Sequence, residues 1–409
     1  MEKNPIILLH ITVVNSLTKF TLTLKGKDYS KYGLLGNPFP FSGVPDEHPN
    51  VYIGQDEVLE KINSVLSSTV LSSQSNHLIV TGSYGNGKSH TLKFIKSHIR
   101  DQFSEKSETR ICVGYVSQPG ETFLEIYTKF MYDLGYVFVK NLSQTYLGYI
   151  AFQLSKEGLI EEKIRKGQGW KAIEKGDVLI SDIVPKAIQR LNDGIKFVDF
   201  TRAFIALSYE ENSIYSWEWL CGEGVEYNKR QELSLGKNIN DTNSIRAFGA
   251  MKFILKELGF SSLVLLIDEF EYIETLPPLK KQKLLNSLRH IIDLNGDSLS
   301  IIIACAPEVW QTIVAEYHAF SERIAKEANL KPMDQEKIRL LLVSYLNNKR
   351  TDRSDSLLPF TDDSIEKIFF HSQGNTRRVI SLCSQALDAS LDFNKRQIDQ
   401  EVLDSVIAG

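Results

Sequence analysis

One stretch constrains this chain more than any other: residues 77–91, HLIVTGSYGNGKSHT. Leu78, Ile79, Val80 and Thr81 read as a short buried strand, and an amphipathic helix pattern begins at Lys88. Between them, residues 82–89 fit G-x-x-x-x-G-K-[ST], and the strand–loop–helix context is what a phosphate-binding loop requires. The glycines let the backbone curl so that successive N–H groups point inward at a phosphate, on top of a helix N-terminus that already favours anions. The candidate cradle is Gly82, Ser83, Tyr84, Gly85, Asn86, Gly87, Lys88, Ser89 and His90. Within it, Lys88 is expected to reach the β- and γ-phosphates of ATP, and the Ser89 hydroxyl to ligate Mg²⁺.

A sheet around this loop follows from three further apolar runs, 110–116 (RICVGYV), 262–267 (SLVLLI) and 299–304 (LSIIIA). They alternate with helical patterns at 121–135 and 280–294, which implies parallel strands covered on both faces. In such a sheet, ligands sit beyond the C-terminal ends of the strands, and there the run 262–267 continues into Asp268-Glu269. The two acids have separable jobs: Asp268 to hold Mg²⁺, mostly through water, and Glu269 to orient and deprotonate an attacking water. Cys305 follows the last run, where a polar group would sense the γ-phosphate. A thiol is a weak donor, and a buried structural cysteine is the alternative. Arg323 ends a helix predicted over 308–326. It reads either as a finger projecting into a neighbouring subunit's nucleotide or as an exposed helix arginine. Arg377, in GNTRR at 374–378, reads as a reporter of the γ-phosphate or as surface charge.

The flanks suggest several segments, for which 409 residues are ample. Residues 1–30 hold one alternating stretch, KFTLTL at 19–24, that suits a hairpin or an arm. A domain is expected to start near residue 31 with the turn formers of YGLLGNPF at 32–39. A helix carrying Val58, Ile62 and Val65 follows, and the serine-rich residues 67–76 read as a loop. The chain from about 136 to 249 is more than a compact nucleotide domain needs. Helices are expected there at 142–157, 180–191, 197–209 and 217–221, with a loop at 163–175. Beyond residue 334 only helices are predicted, at 334–346, 362–370, 376–391 and 398–407.

A net charge of −4 supplies no global field drawing the chain onto nucleic acid, so any DNA contact needs a local patch. Cys112, Cys221, Cys305 and Cys383 form no C-x-x-C pair, which argues against zinc or a disulfide framework and fits a reducing cytoplasm. The apolar run 5–14 is interrupted by His10 and Thr12 and is too short to span a bilayer. It lacks a strong basic region and a cleavage site, so no signal peptide is expected.

With these residues placed, the chain resembles the AAA+ ATPases. It is similar to the clade of replication initiators, ExeA-type secretion ATPases and TnsC/MuB-like transposition ATPases. The shared features are residues 32–39, the loop 82–89, residues 267–269, Arg323 and the motif 374–378. Residues 217–223 (WEWLCGE), 239–241 (IND) and 258–260 (LGF) look like the insertion of the ATP-binding proteins of BREX-type phage-defence systems.

The resemblance implies an α/β fold: an AAA+ P-loop parallel-sheet core over 31–333, a helical insertion at about 136–249, and an all-α lid over 334–409. It also implies Mg²⁺-dependent ATP hydrolysis with Glu269, Lys88, Arg323 and Arg377 as the catalytic set. The finger acts in trans, which implies a homo-oligomeric ring or filament. Partners would be defence or mobile-element proteins, with double-stranded DNA as a further candidate and no membrane. Cys305 departs from the pattern, and no winged-helix domain follows the last helix, so DNA binding by that route is not expected. An ATP-gated non-catalytic scaffold and a TnsC-like DNA-binding regulator remain as alternatives. A secretion-linked ATPase would want a membrane or cell-wall module, and none is seen.

Overall fold

The computed structural model describes residues 8–9, 22–23, 26–40, 49, 51–103, 107–209, 213–324 and 326–408. They form two compact units, Pro45–Lys331 and a second one that joins Met1–Val44 to Pro332–Gly409.

The first unit is built on a parallel sheet of five strands: β1 (Asn76–Gly82), β2 (Ile111–Val116), β3 (Ser262–Ile267), β4 (Leu299–Cys305) and β5 (Lys326–Leu330). Their order is β2-β3-β4-β1-β5, so the loop-bearing strand lies beside β4, with Thr81 opposite Cys305. Period-two alternation sends Ile79, Ile267, Ile303 and Cys305 to one face and Leu78, Val80, Leu266 and Ile302 to the other. The second face is covered by α1 (Asp56–Ser72), through Val58, Ile62 and Val65, and by α2 (Lys88–Gln102), through Leu92, Ile95 and Ile99. Against the first face pack Ile126 and Phe130 of α3 (Phe123–Leu134).

The region expected as an insertion is helical: α4 (Tyr136–Lys156), α5 (Ile180–Ile195), α6 (Val198–Ala206), α7 (Ser213–Cys221) and α8 (Ser244–Glu257). Phe200, Phe204 and Trp219 from these helices belong to the same apolar cluster as the sheet face, so the segment shares the core of the unit. α8 runs straight through residue 249, where the insertion was expected to end, because Phe248 and Met251 are fully buried on that face. The expected loop 163–175 contains a helical turn, Gly169–Glu174. α9 (Pro278–Leu294) and α10 (Pro307–Glu316) complete the unit.

Two local expectations are corrected. Of the serine-rich stretch 67–76 expected as a loop, residues 67–72 are the end of α1, and only 73–75 connect it to β1. Thr69 and Ser72 hydroxyls donate back to the carbonyls of Val65 (3.0 Å) and Ser68 (2.5 Å), which satisfies them inside a helix. The helix predicted over 308–326 stops at Glu316; a short helix, His318–Ser321, and then β5 take its place. β5 is an edge strand that buries only Ala328 and Leu330, so its pattern is too weak to read without β1 beside it.

In the second unit the C-terminal helices are α11 (Gln335–Asn347), α12 (Asp362–Ser372), α13 (Thr376–Asp392) and α14 (Gln400–Ala408). Side chains of Asp334, Thr361 and Asn375 cap the first three by accepting from backbone N–H groups. The stretch 32–39, expected to lead the α/β core, is bonded here instead. Asn37 Nδ2 donates to the Ser384 carbonyl (3.2 Å) and Asp388 Oδ1 (3.1 Å), and the Phe39 ring lies 5.5 Å from Tyr345. Turn residues mark a boundary in sequence but carry no information about which unit receives the Phe39 side chain. Leu8–Leu9 pairs antiparallel with Leu22–Thr23; most of the expected hairpin at 19–24 and of the run 5–14 lies outside the described residues. No helix among the described residues is long and apolar enough to cross a membrane.

Candidate nucleotide-binding site

β1 delivers the glycine loop to the C-terminal edge of the sheet. Gly85 (φ 84°) and Gly87 (φ 94°) take left-handed backbone that other residues rarely adopt, and Gly87 caps α2. Asn86 is buried, its backbone N–H bonded to the Ser83 carbonyl at 3.1 Å. Tyr84 and Ser83 are exposed at the loop's outer side. Lys88 is buried, and its Nζ folds back to donate to the Gly82 carbonyl at 2.8 Å. Ser89 is half-buried in the first turn of α2. His90 Nε2 lies 2.6 Å from the Val51 carbonyl, and Tyr52 stacks on Phe94 (4.8 Å) with its hydroxyl 3.2 Å from Thr91 Oγ1. The His90 side chain is thus directed to the segment before α1.

β3 delivers the acids to the same edge. Asp268 is 2% exposed; its Oδ2 accepts from the Tyr115 hydroxyl at 2.8 Å and its Oδ1 from the Glu269 N–H at 2.9 Å. Tyr115 is anchored in turn by its backbone N–H, which donates to Asp133 Oδ2 at 2.9 Å. Glu269 is exposed and has φ 46°, a left-handed conformation for a residue with a Cβ. A 3₁₀ turn, Phe270–Thr275, follows and presents Glu271, whose Oε1 lies 3.5 Å from Lys88 Nζ. Cys305 is fully buried at the end of β4, and burial, with the Glu271 charge next in weight, pushes its thiol up to about 12. It stands here as a neutral group.

The two candidate arginines fall in different units. Arg323 follows the short helix His318–Ser321 and is bidentate to Asp293, Nε to Oδ1 at 2.8 Å and Nη2 to Oδ2 at 3.2 Å. That bond holds the Asp293 carboxyl below its ordinary range. Arg377 opens α13 in the second unit, next to the Asn375 cap that accepts from the Arg378 N–H at 3.2 Å.

Sequence reading missed Tyr115 and Glu271. Tyr115 carried no local signal; only the pairing of β2 with β3 places it beside Asp268. Glu271 is a third acid within four residues, but only the 3₁₀ turn Phe270–Thr275 turns it toward Lys88. For Mg²⁺ the donor set is suitable: Ser89 Oγ and the carboxylates of Asp268 and Glu271 are hard oxygens. No cluster of three or more acidic, His or Cys side chains that could hold a metal exists among the described residues.

A sheet in the order β2-β3-β4-β1-β5, with a glycine loop after β1 and acids after β3, defines an AAA+ P-loop protein. Two solved forms of the Aeropyrum pernix ORC2 protein share this fold. The ADPNP–ADP complexes match with a TM-score of 0.50 at 10% identity, covering 90% of this chain and 70% of that one. The ADP form matches with a TM-score of 0.50 at 11% identity, covering 90% and 71%. The chain belongs to the BREX system ATP-binding protein BrxC/D family, which matches residues 44–350. Among curated proteins, an uncharacterised HTH-type transcriptional regulator of Methanocaldococcus jannaschii is 22% identical over 140 residues. That match spans 34% of this chain and only about a third (33%) of the relative's length.

Proposed function

We propose that this chain is a Mg²⁺-dependent AAA+ ATPase that works as an oligomeric motor or switch in a DNA-directed phage-defence complex. The observation that supports it best is the convergence of buried Lys88, at the start of α2 after the glycine loop, with Asp268, Glu269 and Glu271, which follow β3, at one edge of the sheet. In this reading the loop's backbone N–H groups bind the phosphates and Lys88 neutralises them. Ser89 and Asp268 hold Mg²⁺, which offsets the charge developing on the phosphoryl oxygens when it is bound. Asp268 is kept in place by Tyr115 and the Glu269 N–H, while Glu269, exposed at the end of the strand, takes the proton of the attacking water.

Phosphate release with and without duplex DNA tests the proposal. Lys88→Ala is expected to lose ATP binding with the fold intact. Glu269→Gln should bind ATP normally, turn over ~10²–10⁴-fold more slowly and give larger assemblies by light scattering. Unchanged turnover in Glu269→Gln would place the base elsewhere. A second reading, an ATP-gated scaffold, is favoured by Cys305, whose neutral thiol is a poor phosphate sensor. Lys88-dependent binding without Mg²⁺-dependent phosphate release would decide for it.

A further inference from the structure

Glu271 is the acid that faces Lys88, and neither Mg²⁺ retention by Asp268 nor proton transfer at Glu269 uses it. Its position is enforced by the 3₁₀ turn Phe270–Thr275, pinned by the fully buried side chains of Phe270 and Ile273. Phe270 lies 6.4 Å from the Phe320 ring, which ties the turn to the segment after α10. One carboxylate oxygen, Oε1, is 3.5 Å from Lys88 Nζ. The other, Oε2, is buried and has no hydrogen-bond partner. Both Asp268 oxygens, by contrast, accept from protein donors. A buried carboxylate oxygen without a donor is unfavourable, and it marks a position that protein groups alone leave unsatisfied.

The same Lys88 is the residue that a polyphosphate must reach. A phosphate anion bound at Lys88 and the Glu271 carboxylate would compete for one ammonium, and two anions sharing one cation repel each other. A divalent cation held between carboxylate and phosphate reverses the sign, because it is the largest local charge and the free oxygen is a hard ligand for it. We propose that Glu271 makes nucleotide binding at Lys88 conditional on a divalent cation, so that the loop rejects free polyphosphates and admits the metal complex of a nucleoside triphosphate. Glu271 is a positioning and selectivity residue in this scheme. It forms no bond to the reacting phosphorus and takes no proton. The inference rests on the nucleotide-binding reading of the loop.

The test is binding of a fluorescent ATP analogue to the full chain, in Mg²⁺ and in EDTA. Wild type should bind far more tightly with Mg²⁺. Glu271→Gln should tighten binding in EDTA by about tenfold and so shrink the Mg²⁺ effect. Glu271→Asp keeps the charge and should keep the wild-type Mg²⁺ dependence, which a purely structural role would not distinguish from Glu271→Gln. Unchanged or weaker binding of Glu271→Gln in EDTA overturns the proposal, as does an equal response of the two variants. Failure of the underlying reading looks different: wild type and Lys88→Ala would then bind the analogue equally.

Discussion

Asp268 and Glu269 are neighbours in the chain and opposites in environment. The first is 2% exposed and held through both oxygens; the second is exposed, on backbone at φ 46° that costs about 1 kcal/mol or more. Strain of this kind at the end of β3 separates two acids that an extended strand would merely alternate. A different buried group sets a pH limit on stability. His77 on β1 is 4% exposed, with Nδ1 accepting from the Ile301 N–H at 3.1 Å, and burial lowers its pKa to about 4. The unfolded imidazole binds a proton below about pH 6.5, and the folded one does not until about pH 4. The unfolded state therefore holds more protons in that window. Stability is full above it and falls as the pH drops through it, by about 3 kcal/mol in all. Denaturant titrations from pH 7 to 4 should show a steeper loss for wild type than for His77→Asn, which keeps an acceptor and removes the titration. Parallel curves would mean that other groups carry the acid sensitivity.

At the scale of elements, the sheet is held to its helices by contacts that leave no spare volume. A Cβ on Gly114 of β2 would meet Phe130 Cδ2 of α3 at 2.3 Å, and the fully buried Phe130 ring is backed by Phe248 of α8 at 5.2 Å. Phe130 has nowhere to turn, so Gly114→Ala should destabilise the protein by about 1–3 kcal/mol, read as a lower urea midpoint. An unchanged midpoint would show that α3 can lift from β2 at little cost. β5 illustrates the opposite case, an element with hardly any signal of its own. Its five residues, of which Lys326, Glu327 and Asn329 are exposed, form a strand because β1 offers an unpaired edge.

At the scale of the whole molecule, the open question is whether one chain completes its own site. Arg323 is engaged by Asp293 of the same chain, but the pair is solvent-exposed, where screening leaves such an ion pair weak. In the proposed oligomer, a phosphate on a neighbouring subunit would compete with Asp293 for this arginine. Arg323→Ala is expected to bind ATP like wild type and to lose about 10³–10⁵ in turnover. Mixing it with Lys88→Ala should restore some activity at interfaces where an intact loop meets an intact arginine. Normal hydrolysis by Arg323→Ala would make the residue surface charge, and a dead mixture would argue for action in cis.

The sequence by itself determined the loop 82–89, the four strongly apolar strands, the acids after β3 and the helical character of the C-terminal region. These features are local: a glycine at positive φ, or a run of apolar residues with a fixed period, meets its physical requirement within a few neighbours. Only the tertiary structure decided the rest. β5 needed its partner strand, Tyr115 needed β2 beside β3, and Glu271 needed a turn that sets it against Lys88. Asp293 meets Arg323 across 30 residues, and Asn37 meets Asp388 across 351. Contacts at such separations depend on where the chain returns in space, and no local pattern of side chains encodes that return.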